Sequence, residues 1–134
     1  MTALLRNSTT EKTMISPPKP QPAHLKDGIN AEELAATFLR HKGLKLITRN
    51  FRSSYGEIDL VMQDGTTTVF IEVRLRSSHS FGGAAMSITP SKQQKIRRTA
   101  ECYLQRHGEQ LCRFDAVLMD KIDINAVEWI QNAF

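Results

Sequence analysis

Thiol and imidazole side chains are scarce in this 134-residue sequence and are poorly spaced for holding a metal ion. The two cysteines, Cys102 and Cys112, form no CxxC pair, and the four histidines are scattered singly. The pattern argues against a zinc site and against a disulfide framework, and it is typical of reduced thiols in the cytoplasm.

Long apolar runs are also missing. No stretch approaches the ~20 residues that a membrane-spanning helix needs, and no apolar segment near the amino terminus ends in small residues as a secretory signal does. We therefore expect a cytoplasmic protein that makes no membrane contact. Residues 1–27, rich in Thr, Ser, Pro and Lys, predict a disordered tail ahead of a single domain over residues 28–134.

Positive charge is concentrated in the middle of the chain. Between Arg40 and Arg106, twelve Lys and Arg residues stand against five Asp and Glu residues, a net charge of +7. Such a concentration indicates a protein that binds a polyanion. The ordinary alternative is a solvated charged surface with no ligand.

Two helices are predicted from apolar stripes bounded by capping residues. The first is expected to begin near Asn30, whose spacing to Glu33 resembles a capping box, and to end at Gly43. The second is expected to use Thr89 as its cap, with Pro90 at the first helical position, and to end at a glycine, Gly108.

Four strands are predicted, over residues 44–52, 57–63, 68–76 and 111–119, with a further candidate strand over residues 122–130. A loop over residues 77–88 follows the third strand. The second and third strands form an antiparallel hairpin, whereas a helical crossover makes the third and fourth parallel. The sequence therefore predicts an α/β fold of order αβββαβ, with a mixed sheet flanked by helices.

The acidic residues of the hairpin are predicted to cluster. If residues 64–67 form a four-residue loop, Gln63 pairs with Thr68 and Asp59 lies opposite Glu72. A two-residue loop would instead place Glu57 opposite Glu72. Both alternatives gather the acids on one face of the sheet.

Two opposed carboxylates ~4 Å apart repel by roughly 4 kcal/mol at an effective dielectric constant of 20, and like charges across a strand pair are destabilising. A divalent cation such as Mg²⁺ would relieve this repulsion, since it binds one or two carboxylates together with waters. The alternative is a set of surface ion pairs, Glu57 with Arg74, and Glu72 with Arg76 or Arg49, worth about 0–1 kcal/mol each. The cations that flank the acids favour a site for a phosphate backbone. They are Arg49, Arg52, Arg76 and Lys92.

These residues resemble a known pattern. Asp59, followed after twelve residues by Glu72-Val73-Arg74, resembles the Asp…Glu-x-Lys core of the PD-(D/E)xK nuclease superfamily, whose restriction-endonuclease-like fold has the same αβββαβ order. The chain is more closely similar to the bacterial YraN family, which in turn is similar to archaeal Holliday-junction resolvases. The resemblance covers about residues 28 to 119. Its further motifs are Ala31-Glu32 with Ala35, Arg49-Asn50-Phe51-Arg52, Tyr55-Gly56-Glu57-Ile58-Asp59-Leu60, Val69-Phe70-Ile71 and Leu75-Arg76 around the core, Lys92, and Arg113-Phe114-Asp115-Ala116-Val117.

The resemblance implies roles for particular residues. Asp59 and Glu72 would hold Mg²⁺ or Mn²⁺ together with the carbonyl of Val73, with Glu32 as an outer acid. Arg74 occupies the usual lysine position, where it keeps a positive charge but cannot act as a base. Glu57 places an extra acid beside it. The expected nucleic-acid contacts are Arg49, Arg52, Arg76, Lys92 and Lys95.

Three functions are compatible with these features. The first is a metal-dependent nuclease acting on DNA, rather than RNA, that is branched or otherwise distorted, with a homodimer supplying two sites. The second is a nucleic-acid-binding module with the nuclease fold and no cutting activity. The third is a protein-interaction domain that keeps only the fold. Asp115 is expected to be a buried structural acid without a catalytic role.

Overall fold

The computed structural model describes residues 23–75 and 88–134 of the chain. The described residues form two helices and five strands around a mixed sheet, which confirms the predicted α/β fold and its αβββαβ order. The elements are α1 (Ala23–His41), β1 (Lys45–Arg52), β2 (Glu57–Asp64), β3 (Thr67–Leu75), α2 (Pro90–His107), β4 (Cys112–Met119), a 3₁₀ turn (Ile124–Ala126) and β5 (Val127–Ile130). Residues 1–22 of the predicted tail, Arg76 and residues 77–87 of the predicted loop lie outside the described residues.

The helix ends follow the capping chemistry with one exception. Thr89 caps α2 by accepting a hydrogen bond from the Lys92 N–H at 3.2 Å, and Gly108, with φ of 89°, ends it. Helix α1 ends at His41, but it begins at Ala23 rather than near Asn30. A capping pattern is a weak marker of a helix start when the residues before it are themselves good helix formers, as are the Ala, Leu and Lys that precede Asn30.

The hairpin of β2 and β3 has the register in which Gln63 pairs with Thr68. One further pair, Asp64 with Thr67, closes the ladder, so only Gly65 and Thr66 remain in the turn. Gly65 has a φ of 62°, which glycine adopts at low cost. The alternative register, with Glu57 opposite Glu72, is wrong. Strands β3 and β4 pair in parallel, as the helical crossover requires.

Each face of the sheet is covered by one helix. Helix α1 packs on a cluster that includes Leu60 and Met62 of β2, whereas α2 packs on a cluster that includes Val61. The alternating apolar residues Ile58, Leu60 and Met62 are expected to share one face of a regular strand. Ile58 instead belongs to the α2 cluster, so the alternation breaks between Ile58 and Leu60. The break falls on Asp59.

A buried acid ties the last strands together. Asp115 is fully buried in β4 and accepts hydrogen bonds from the Arg113 Nε at 3.1 Å, the Trp129 indole N–H at 2.9 Å and the Asn132 N–H at 3.0 Å. Arg113 also donates to Asp64 at 2.9 Å, beside the hairpin turn. These bonds satisfy the Asp115 carboxylate, which confirms its predicted structural character.

Asp115→Ala is expected to lower the free energy of unfolding by about 3 kcal/mol, because it leaves the Trp129 indole N–H and the Asn132 N–H without their acceptor and removes one of the two carboxylates that pair with Arg113. Urea unfolding followed by circular dichroism measures the change. Glu101→Ala, at an exposed position of α2, is the control and should stay within about 0.5 kcal/mol of the parent. An equal, small effect of both variants would contradict the structural role.

Candidate active site

A fork opens in the sheet at the end of the β2–β3 ladder. Pairing of these two strands runs from Asp64–Thr67 to Leu60–Ile71. Beyond that point β2 stays paired with β1 as far as Arg52–Glu57, and β3 stays paired with β4 as far as Leu75–Met119. The predicted site residues Asp59, Glu72 and Val73 all lie at the start of this fork.

Asp59 marks the point at which the strands part. Its Oδ2 atom accepts a hydrogen bond from the Val73 backbone N–H at 2.8 Å. Burial raises the pKa of the Asp59 carboxyl to about 8, and the negative charge of Glu72 acts in the same direction. The Val73 N–H opposes this rise in pKa, while the charges of Glu32 and Glu57 add to it. The structure therefore brings four predicted acids within electrostatic reach of one another.

Glu72 is a buried carboxylate held by two cations. Its side chain is only 4% exposed, and its Oε2 atom lies 3.4 Å from the Arg74 Nε and 3.3 Å from the Lys92 Nζ. Its Oε1 atom is buried without a hydrogen-bond partner among the described residues. A buried polar atom left without a partner costs roughly 1–3 kcal/mol, so this oxygen is a candidate ligand atom.

The ion pairs differ from those expected of a solvated surface. Glu57 pairs with Arg52 at 3.3 Å, not with Arg74. Arg74 turns to Glu72, and the second cation on Glu72 comes from helix α2 as Lys92. Because Glu72 is buried, these contacts are not surface ion pairs of the kind that contributes little.

Glu32 reaches the fork from helix α1, where its Oε1 atom accepts a hydrogen bond from the Asn50 Nδ2 at 3.2 Å. Asn50 stands between Arg49 and Phe51, whose partners in β2 are Leu60 and Ile58, so it lies across from Asp59. Its φ of 51° is unusual for a residue other than glycine. Sequence reasoning assigned Asn50 no role. The available signal was an asparagine, a residue that tolerates positive φ, within a predicted strand.

The outer cations lie on both sides of the fork. Arg49 lines a groove of about 470 Å³ beside α1, together with Arg40. Lys95 lines a groove of about 430 Å³ beside α2, together with Arg98. Arg52 is exposed at the end of β1. The structure does not bring these cations into one cluster, and Arg76 lies outside the described residues.

The protein ligands available to a metal ion are few. Within residues 23–75 and 88–134, no group of three or more His, Cys, Asp or Glu side chains could hold one. Asp59, the free Oε1 atom of Glu72 and the Val73 carbonyl form a smaller, all-oxygen set, which fits Mg²⁺ because that ion usually keeps several waters. Among the described residues, no helix combines the length and apolar character needed to cross a bilayer.

Comparison with known proteins identifies the family. Residues 31–119 match the model described as "Uncharacterised protein family UPF0102". The chain belongs to the UPF0102 family. This membership confirms the resemblance to YraN proteins.

Relatives within the UPF0102 family match most of the chain. A UPF0102 protein of Methylobacillus flagellatus is 56% identical over 107 residues, covering 80% of this chain and 95% of the relative. One from Nitrosomonas europaea is 53% identical over 108 residues, covering 80% and 92%. One from Alkalilimnicola ehrlichii is 44% identical over 121 residues, covering 88% and 93%.

The raised pKa of Asp59 predicts a pH-dependent stability. The folded protein holds a proton on Asp59 between the ordinary pKa of 3.8 and the folded-state value of about 8, whereas the unfolded chain releases it. The contribution of Asp59 to the free energy of unfolding is therefore fully present below pH 3.8 and is lost as the pH rises through about 8. Asp59→Asn, which stays neutral, should become progressively more stable than the parent over this range.

Urea unfolding of both proteins from pH 4 to 9, with divalent ions chelated, measures this difference in stability. A difference that does not change with pH would show that Asp59 titrates normally.

Proposed function

We propose that this protein is a metal-dependent nuclease acting on DNA, with branched or otherwise distorted DNA as its substrate class, in the cytoplasm. The observation that carries the proposal is the meeting of Asp59 and Glu72 at the sheet fork, where Glu72 Oε1 is buried without a partner among the described residues. The exposed cations around this fork, Arg52 and Lys92 among them, provide charge for a phosphate backbone.

Asp59, Glu72 and the Val73 carbonyl would hold Mg²⁺ or Mn²⁺. When bound, such an ion would supply a water of lowered pKa as the nucleophile and would offset negative charge on the phosphate. The Val73 N–H fixes Asp59 Oδ2, and the two cations lie within 3.4 Å of Glu72 Oε2. Glu72 Oε1 has no hydrogen-bond partner among the described residues and is therefore available to an ion.

The two cations on Glu72 have different chemistry. Arg74 offers a guanidinium, whose planar set of N–H donors suits a phosphate. Lys92 offers a compact ammonium from a different element, and 41% of its side chain is exposed. In this proposal Arg74 holds Glu72 in place and Lys92 contacts the phosphate at the rim of the fork. Cutting both strands of a branched DNA requires a second site, which a homodimer would supply.

A second candidate function is a nucleic-acid-binding module that does not cut. The observation in its favour is Arg74 itself, since arginine at this position cannot accept a proton from water. The same basic surface would serve both functions, so binding alone does not separate them.

Asp59→Asn is expected to abolish cleavage and to preserve or strengthen DNA binding, because it removes a metal ligand and the negative charge that the Asp59 carboxylate would carry near the phosphate when it holds the ion. The measurement is cleavage of linear, flapped and four-way DNA with Mg²⁺ or Mn²⁺, alongside binding by fluorescence anisotropy. Asp64→Asn makes the same chemical change at the other end of β2 and should keep full activity.

Parent protein that binds these DNAs and never cuts them would favour the inert module over the nuclease. Parent protein that binds no nucleic acid would contradict both functions.

Binding should weaken with salt, with a slope of log K against log [salt] near −0.9 per neutralised phosphate on duplex DNA. Arg52→Gln and Lys92→Gln are each expected to reduce the magnitude of this slope by about one. Lys45→Gln is the matched control, because Lys45 is exposed at the far end of β1, roughly 23 Å from Arg52 at about 3.3 Å per residue.

If Lys45→Gln reduced the salt slope as much as Arg52→Gln does, the DNA would be bound by a diffuse basic surface rather than by a phosphate path across the fork. Binding that does not respond to salt would rule out phosphate contacts altogether.

A further inference from the structure

The connection between β1 and β2 is fixed to helix α2 by a chain of hydrogen bonds. The Thr99 hydroxyl donates to the Lys95 carbonyl at 2.9 Å. It therefore accepts from the Ser53 hydroxyl, 2.9 Å away, and Ser53 Oγ accepts in turn from the Tyr55 N–H at 3.0 Å. A Cβ atom at Gly56 would lie 3.6 Å from the Lys95 Cβ, so this turn also packs closely on the helix. The backbone that carries Tyr55 is thus held in position.

Tyr55 is exposed although its backbone is held. The residue is 46% exposed, and the Arg98 guanidinium lies over its ring at 5.3 Å from the centroid. Phe51, four residues earlier in the chain, packs against Tyr103 in the core. The structure instead presents the Tyr55 ring at the surface, with a cation on it.

The ring lies in a groove whose chemistry suits a nucleotide. The groove has a volume of about 430 Å³. The described residues that line it comprise one aromatic ring, two cations and three short or neutral polar residues, with no acid among them. Its lining residues are Ser54, Tyr55, Ser91, Gln94, Lys95 and Arg98. Proteins that bind single strands combine base stacking on aromatic rings with a positively charged path for the backbone.

We propose that Tyr55 is a stacking platform for an unpaired nucleobase, with Lys95 and Arg98 contacting the adjoining phosphates. The Arg98 guanidinium fixes the ring through a cation–π contact, and the exposed part of the ring receives the base. A base that is paired within a duplex cannot present its face to the ring. The site therefore selects nucleic acid with single-stranded character, such as a flap or an opened junction.

This inference rests on the proposed nucleic-acid function and deepens it. Tyr55 precedes Asp59 by four residues, which span at most about 14 Å of chain, so one strand can reach both the ring and the carboxylate fork. Helix α2 links the two places, since it carries Lys92 at the fork and Lys95 and Arg98 at the groove. The base on Tyr55 would then set which phosphate reaches Asp59 and Glu72.

The experiment measures 2-aminopurine fluorescence and binding anisotropy with metal chelated, so that cleavage does not enter. The probes are a single-stranded oligonucleotide containing 2-aminopurine, the same sequence as a full duplex, and inorganic polyphosphate. Parent protein and Tyr55→Phe should quench the single-stranded probe. Tyr55→Ala and Tyr55→Leu should no longer quench the single-stranded probe. Their affinity for this probe should fall about tenfold, which corresponds to the loss of one stacked base. Affinity for the duplex should change less than twofold.

Quenching that persists in Tyr55→Ala and Tyr55→Leu would overturn the proposal. So would an equal loss of affinity for all three probes, since the groove would then bind phosphate by charge alone. Thermal unfolding of each variant shows that it is folded, and Tyr55→Leu keeps the apolar bulk should Tyr55→Ala disturb the turn. A protein that stacks a base on Tyr55 but never cuts DNA would refute the proposed nuclease activity and would still support the stacking site. A protein that cuts while both Tyr55 variants bind normally would refute this site alone.

Discussion

At the end of the β2–β3 ladder, the Asp59 carboxylate accepts the Val73 N–H at 2.8 Å, where a regular hairpin would continue its backbone pairing. This bond satisfies a backbone donor that the parting strands would leave unpaired, so the sheet can open without an orphaned N–H group. The opening turns Ile58 toward α2 and leaves Asp59 and Glu72 at the mouth of the fork. The candidate site therefore depends on the Asp59 side chain in two ways. It replaces one backbone hydrogen bond of the ladder, and it is a candidate metal ligand.

The fork is electrostatically costly. A largely buried carboxyl with its pKa raised to about 8 and a second buried carboxylate, Glu72, stand beside two further acids, Glu57 and Glu32. Arg74 and Lys92 offset part of this charge at Glu72 Oε2, but Oε1 keeps no partner among the described residues. Asp115 is the instructive contrast, since three donors satisfy it although it is fully buried. The contrast shows that burial alone does not leave an acid uncompensated in this fold, which is why the unpartnered Oε1 atom of Glu72 marks the fork as the candidate site.

Local rules predicted the frame of the molecule well. Thr89, Pro90 and Gly108 bound α2 as their capping chemistry indicates, and the register that pairs Gln63 with Thr68 is one of the two that the hairpin pattern left open. Apolar alternation along β2 fails at Ile58, because period-two patterning assumes an uninterrupted ladder and the Asp59 side chain interrupts it. The ion pairs also escaped prediction. Lys92 meets Glu72 only because the crossover brings α2 over β3, a contact that depends on the tertiary fold. Strand patterning could bring the two acids together, but it could not say which cation each one meets.

Helix α2 joins these observations into one surface. Ile96, Ala100 and Tyr103 bury one side of the helix against the sheet, and this packing sets its rotation about its own axis. The same rotation places Lys92 on Glu72, Thr99 on the turn that carries Tyr55, and Arg98 over the Tyr55 ring. A core substitution that rotated α2 would therefore displace the cation at the fork and the cation on the ring together. Because one packed helix face positions cations at both places, the carboxylate fork and the aromatic groove are structurally coupled rather than independent.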